Sequence, residues 1–208
     1  LWGNDLVTRF PPEPNGRLHL GHARSVWLNA SLAEKFGGRM HLRMDDTNPE
    51  KEDVSHDHAI VASLRHLGIP WHGPVRYASD HFPGMHATAR AWIGLGLAFV
   101  DTSDKDAIRG MRGDLHRAGV RSPDADKPVE WHLDMFARMT AGEFPDGGPV
   151  LRAKIDMASP NINLRDPVLY RIKHMEHART KNSWCVYPTY DYAHPFCDVA
   201  EGIALSLC

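Results

Sequence analysis

The chain has 208 residues, 42% of them hydrophobic and 24% charged, which suffices for one good core or for a core domain carrying a large insertion. With 24 Lys and Arg against 26 Asp and Glu, the formal net charge of −2 excludes a sequence-blind nucleic-acid coat but leaves room for a local basic face. No apolar run approaches the roughly 18 residues that span a bilayer, and no signal peptide is visible, so no membrane partner is expected.

Leu6, Val7 and Phe10 are strand formers, and the strand they predict stops at Pro11 and Pro12, which have no N–H for a ladder. Pro14-Asn15-Gly16 reads as a sharp turn in which Asn15 and Gly16 supply positive φ. A helix is expected to start at His19 to His22 and to run towards Phe36. Its unpaired N–H groups and positive dipole end favour an anion such as a polyphosphate. His19 and His22, three apart, share a face and can aim imidazole donors at one phosphate, while Gly21 lets a ligand approach the backbone.

Arg39 to Met44 reads as the second strand, delivering Asp45-Asp46-Thr47-Asn48-Pro49 to its carboxyl end. In an open parallel sheet ligands bind beyond those ends, so this acidic turn is expected beside the histidine turn. One aspartate would face the site and the other would cap a helix from Glu52 to Leu67. Ile69 to Asp80 reads as a loop with a short strand at Val75 to Tyr77, followed by a helix from His81 to Leu97. From Asp101 to Asp156 the chain turns charged and Gly-rich, with a helix from Val129 to Ala141 and a strand from Val150 to Ile155.

Within that insertion Arg109, Arg112, His116, Arg117 and Arg121 form a local basic cluster suited to phosphate contacts. Leu169 to Lys173 alternates as a strand, with Asp166-Pro167 as the preceding turn. Ser183 to Asp191 is predicted to return the chain to the sheet as an apolar strand. An extended continuation would put Tyr190, Tyr192 and His194 on one side, with Tyr192 packing the core. Cys185, Cys197 and Cys208 match neither a zinc pattern nor a disulfide framework, which suits a reduced cytoplasmic protein. The start at Leu1 without Met and the end at Cys208 within an apolar run read as a fragment of a longer protein.

TRFPPEPNGRLHLGHARS, from Thr8 to Ser25, resembles the ATP-binding signature of class I aminoacyl-tRNA synthetases. PPEPNG and the downstream LRMDDTNPEKED are similar to the glutamyl and glutaminyl branch, the glutaminyl members above all, and LRAKIDMASPNINLRDPVLYRIKHMEH extends the likeness. The resemblance implies an α/β fold: a Rossmann-type doubly wound parallel sheet with an inserted α+β domain that binds the tRNA acceptor stem. The first half would occupy residues 1–80, the insertion 81–183 and the start of the second half 184–208.

It also implies the chemistry. Glutamine would be activated by ATP, with Mg²⁺ accompanying the nucleotide rather than held in a protein cage, and passed to the 3′ end of tRNA(Gln). His19 and His22 would stabilise the phosphates, and Glu13, Pro14, Asn15, His19, Leu20, Gly21, His22, Ala23, Arg24 and Ser25 would line the ATP site. Arg9, Asp45, Tyr190, His194 and Cys208 would meet the amino acid, with Asp45 on its ammonium. Arg109, Arg112 and Leu115 would meet tRNA, Leu115 as a wedge against the first base pair. Related glutamate enzymes carry Arg at the position of Cys208, and a neutral thiol suits a neutral amide.

The family's second signature, Lys-Met-Ser-Lys-Ser or a variant, does not occur in this sequence, nor do the C-terminal anticodon-reading barrels, so the chain alone is expected to be impaired. The competing readings are a glutamate-charging enzyme of the same branch, a shortened relative acting on a tRNA base, and a non-catalytic nucleotide- or tRNA-binding remnant. A monomer is expected.

Overall fold

The computed structural model describes residues 6–50 and 54–207, which form two compact units. The first holds the described residues up to His81, His177–Arg179 and those from Ala193 onward. The second holds Phe82–Glu176 and Thr180–Tyr192, so in the chain it is inserted between parts of the first.

The first unit is built from β1 (Val7–Phe10), α1 (Leu20–Lys35), β2 (Arg39–Met44), α2 (Val54–His66) and β3 (Arg76–Tyr77). The strands lie parallel in the order β1-β2-β3, with Val7 opposite Arg39 and Arg43 opposite Arg76. Parallel neighbours need crossover connections, and α1 and α2 supply them. Alternation along the strands puts Phe10, Met40, Leu42 and Met44 into a core with Val26 and Ala33 of α1 and Ile60 and Leu64 of α2. Each of these side chains larger than alanine, fully buried, stabilises the fold by roughly 1.5–3 kcal/mol. The α1–β2 turn requires glycine: Gly37 has φ 65°, and a Cβ on Gly38 would lie 2.0 Å from Leu6 O.

Arg9, His41 and Arg43 occupy the other parity of these strands and are buried as well. The charges of Arg9 and Arg43 are met from the C-terminal segment. Arg9 Nε lies 3.1 Å and Arg43 Nη2 2.7 Å from Asp198 Oδ1, while Arg43 Nη1 lies 3.1 Å from Glu201 Oε2. Glu201 also meets His81 Nε2 at 3.2 Å, and Ala204 N–H donates to Val7 O at 2.9 Å. Charges buried this way are stable only together, because a lone one would be left desolvated.

The second unit contains α3 (Phe82–Gly94), β4 (Ala98–Asp101), α4 (Lys105–Arg112), α5 (Val129–Thr140), β5 (Val150–Ala153), β6 (Val168–Ile172) and β7 (Val186–Pro188). Its four strands pair antiparallel in the order β4-β5-β6-β7. Met85, Ala89 and Ile93 of α3 and Met135, Phe136 and Met139 of α5 are buried with Phe99, Leu151 and Tyr170 of the sheet. A fully buried ion pair, Arg152 Nη1 to Asp101 Oδ2 at 2.6 Å, crosses from β5 to β4.

Several expectations are corrected. No left-handed residue occurs at Asn15 or Gly16, because the loop is an open bend in which the Asn15 amide bonds the Glu13 carboxylate. The helix expected from His81 to Leu97 runs from Phe82 to Gly94, and β4 and α4 are additional elements. β4 is a four-residue strand buried throughout, and α4 is an eight-residue helix that buries no residue, so both are short elements within a charged stretch.

The predicted strand from Ser183 to Asp191 is reduced to β7, which joins the antiparallel sheet rather than the parallel one. From Tyr190 to Ala200 the chain is helix α6, which overturns the extended reading of Tyr190, Tyr192 and His194. Ala193, Cys197 and Glu201 are buried at spacings of four, and that helical burial overrode the strand preference of the aromatic residues.

Candidate active site

His19 is the N-cap of α1, in extended conformation at φ −117° and ψ 177°. Its Nδ1 accepts from Gly21 N–H at 3.1 Å, and His22 Nδ1 accepts from His19 N–H at 3.2 Å. The two imidazoles thus cap the helix reciprocally, as a Ser and a Glu do elsewhere. Two donors expected for an anion are spent on the rings. What the rings then offer a ligand is the Nε2 edge, since a neutral imidazole that accepts at Nδ1 carries its proton at Nε2.

The ring centroids lie 3.9 Å apart, and the His22 ring meets Phe10 edge-on at 6.3 Å. Burial lowers the His22 pKa from its ordinary value, and repulsion from His19 lowers it further. Near neutral pH His22 is therefore an uncharged N–H donor. Gly21 is explained locally: a Cβ there would come within 2.9 Å of His19 Cε1, so the glycine makes room for the capping ring rather than for a ligand.

Beside the start of α1, Leu18, His19 and Leu20 border a cleft of about 530 Å³, with His66 and Leu67 at the end of α2. Leu20, Ala23 and Arg24 also border a second hollow of about 320 Å³ with Trp27. Ser25 O accepts from Asn29 Nδ2 at 2.9 Å, and Pro14 O lies 3.2 Å from His56 Nδ1.

Asp45 N–H donates to Pro12 O at 2.9 Å, which brings the acid to the carboxyl end of β1, where Phe10 meets His22. Its Oδ2 lies 2.7 Å from His194 Nε2, and its buried Oδ1 has no partner among the described residues. The spacing of Asp45 and His194 in sequence gave no hint of this pair. Arg9 donates from Nη1 to Leu207 O at 3.0 Å besides its bond to Asp198. Tyr190, the first residue of α6, is exposed, and Cys208 lies outside the described residues.

Asp46 is not a helix cap. Its carboxylate accepts from Ser79 N–H at 2.8 Å and Ser79 Oγ at 2.6 Å, which ties the end of β2 to the turn after β3. Arg179 Nη1 lies 3.9 Å away, and His177 Nε2 lies 2.8 Å from Asp46 O. Burial pushes the Asp46 carboxyl up to about 7, against the Ser79 hydrogen bonds and Arg179, which hold it down. The folded value lies above the unfolded one, so the stability this group contributes is present in full below pH 3.8 and is lost as pH rises through about 7. Urea unfolding should show the parent losing stability relative to Asp46→Asn across that window. A difference that does not vary with pH would contradict the assignment.

In the second unit Arg109 and Arg112 lie on the last turn of α4, and Leu115 is 79% exposed just beyond it. Arg121, grouped with the basic cluster in sequence, is occupied: its Nε lies 2.6 Å from Asp166 Oδ2 and its Nη2 3.1 Å from Asp166 Oδ1. This bidentate pair, with Asp166 at φ 44°, is a brace for the turn before β6 rather than a phosphate contact. Among the described residues no group of three His, Cys, Asp or Glu is placed to hold a metal ion, and no helix is long and apolar enough to cross a membrane.

A parallel α/β unit with a histidine-capped helix beside its strand ends, interrupted by an antiparallel α+β insertion, is the architecture of one synthetase class. Residues 5–208 match the family described as tRNA synthetases class I (E and Q), catalytic domain, and the chain belongs to it. A glutamine–tRNA ligase of Ectopseudomonas mendocina (strain ymp) is 57% identical over 203 residues, covering 98% of this chain and 37% of that protein. Another from Nitrosomonas europaea is 55% identical over 207 residues, covering 100% of this chain and 37% of that protein. The chain thus spans 37% of the length of each of these relatives. In fold it is similar to the crystal structure of a glutamate tRNA ligase from Elizabethkingia meningosepticum in complex with its amino acid. That likeness has a TM-score of 0.64 at 19% identity and covers 97% of this chain and 43% of that one.

Proposed function

We propose that this chain carries the ATP and amino-acid sites of an enzyme that activates glutamine and transfers it to the 3′ end of tRNA(Gln). The observation that carries this reading is Asp45. A buried carboxylate oxygen without a donor among the described residues is costly, and it stands at the strand end that also bears the His19–His22 cap. A substrate ammonium satisfies the acid while the imidazole Nε2–H groups meet phosphate.

In the first step an oxygen of the glutamine carboxylate attacks the α-phosphorus of ATP, and the bond to pyrophosphate breaks. In the second a hydroxyl of the terminal ribose attacks the acyl carbon, and AMP leaves. The protein's share is positioning and charge stabilisation, and Mg²⁺ enters as the counter-ion of ATP. Glutamine is preferred to glutamate because relatives 57% and 55% identical bear that activity in their names. Tyr190 is assigned to the side-chain amide, and Glu13, Asn15 and the first turns of α1 to the nucleotide. Arg109, Arg112 and Leu115 are assigned to the acceptor end. A monomeric cytoplasmic enzyme is the setting we assign.

The full-length protein should exchange labelled pyrophosphate into ATP when glutamine and tRNA(Gln) are both supplied. Exchange supported equally by glutamate, or none under any combination, would reject the reading.

A further inference from the structure

We propose that Arg165 is the positioning residue that sets the loop bearing Leu115, holding an apolar side chain ready to enter the end of a tRNA acceptor stem. The inference rests on the tRNA reading above and adds to it the group that makes a wedge possible. An exposed leucine can separate stacked bases only if the backbone beneath it does not yield. A loop that gives way on contact would lose the push to its own disorder.

The loop is built to resist. α4 is capped by Gly113, whose φ of 74° reverses the chain, and a Cβ there would lie 2.4 Å from Arg117 O. Asp114 closes the turn: its carboxylate accepts from His116 N–H at 2.8 Å and Arg117 N–H at 2.9 Å, while its own N–H donates to Arg117 O at 3.0 Å. The outgoing chain is tied by Gly119 N–H to Met157 O and by Val120 N–H to Met111 O, each at 2.7 Å.

This folding turns the carbonyls of Arg112, Asp114 and Arg117 towards one point. Three carbonyl dipoles converging in that way repel unless a cation sits among them. Arg165 Nη1 donates to all three at 3.0 Å, and its Nε donates to Ser159 O at 2.7 Å. The side chain is 3% exposed, so it has no part in touching nucleic acid itself. At the tip of the turn so clamped, Leu115 stands in solvent while the backbone on both sides of it is bonded.

The test compares full-length variants on two tRNAs, one with a Watson–Crick first acceptor pair and one with that pair mismatched. Arg165→Leu is expected to lower kcat/KM by about tenfold on the paired tRNA and by less than about twofold on the mismatched one, which needs no wedge. Arg165→Lys should fall between Arg165→Leu and the parent. Asp114→Ala loosens the same turn from the solvent side and should show the same preference, which keeps the test decisive where Arg165→Leu does not fold. Equal losses on the two tRNAs, or no loss on the paired one, would overturn the proposal. Leu115→Ala separates the layers. If it spares the mismatched tRNA and the clamp variants do not, only the role of Arg165 fails, whereas loss of its own preference removes the wedge reading.

Discussion

Replacing His22 by alanine in the full-length protein is expected to lower kcat by about 10²- to 10³-fold while KM for ATP changes by less than about threefold. The asymmetry follows from what each nitrogen does. Nδ1 is committed to the His19 N–H, so the ring is fixed in orientation and Nε2–H is the edge left for a ligand. Burial and the neighbouring His19 keep the ring uncharged, so its donor reaches full value only when negative charge grows during the displacement. The substitution also removes half of the helix cap, worth about 0.5–2 kcal/mol. A melting curve therefore accompanies the kinetics, and His22→Asn, which can still accept from the His19 N–H, separates the cap from the catalytic donor. Equal losses in kcat and ATP affinity would mean that the ring serves binding alone.

Asp45→Asn should reduce kcat/KM for glutamine by about 10²- to 10³-fold and leave ATP affinity near the parent value. The amide keeps the size of the carboxylate but loses its charge, so the ammonium is left without its anionic partner. It also weakens the contact to His194, whose Nε2 lies 2.7 Å from Asp45 Oδ2. His194→Ala should produce a smaller loss, because it frees the acid without discharging it. An unchanged KM for glutamine in Asp45→Asn would place the ammonium elsewhere.

Most of the first unit was legible because its signals are local. Proline stops β1, alternation marks β2 and the Pro-Asn-Gly turn announces α1, and each is visible within about ten residues. The histidine pair was legible for the same reason, since a spacing of three guarantees a shared face on a helix. What escaped was decided over long separations. Asp198 and Glu201 neutralise arginines on β1 and β2, and His194 finds Asp45 149 positions away. Arg121 and Asp166, 45 apart, read in sequence as a basic patch and a turn.

The sequence by itself determined the parallel α/β beginning, the helix that starts at the histidine pair, and the acid delivered by the second strand. These depend on periodicity and on residues that forbid one backbone state or demand another. Only the tertiary structure decided that α6 is a helix, that Gly21 serves the ring of its neighbour, that Asp46 holds Ser79, and that one arginine gathers three carbonyls beneath Leu115. In each of those cases the energy lies in burial and in partners brought together by the fold, and no window of sequence contains them.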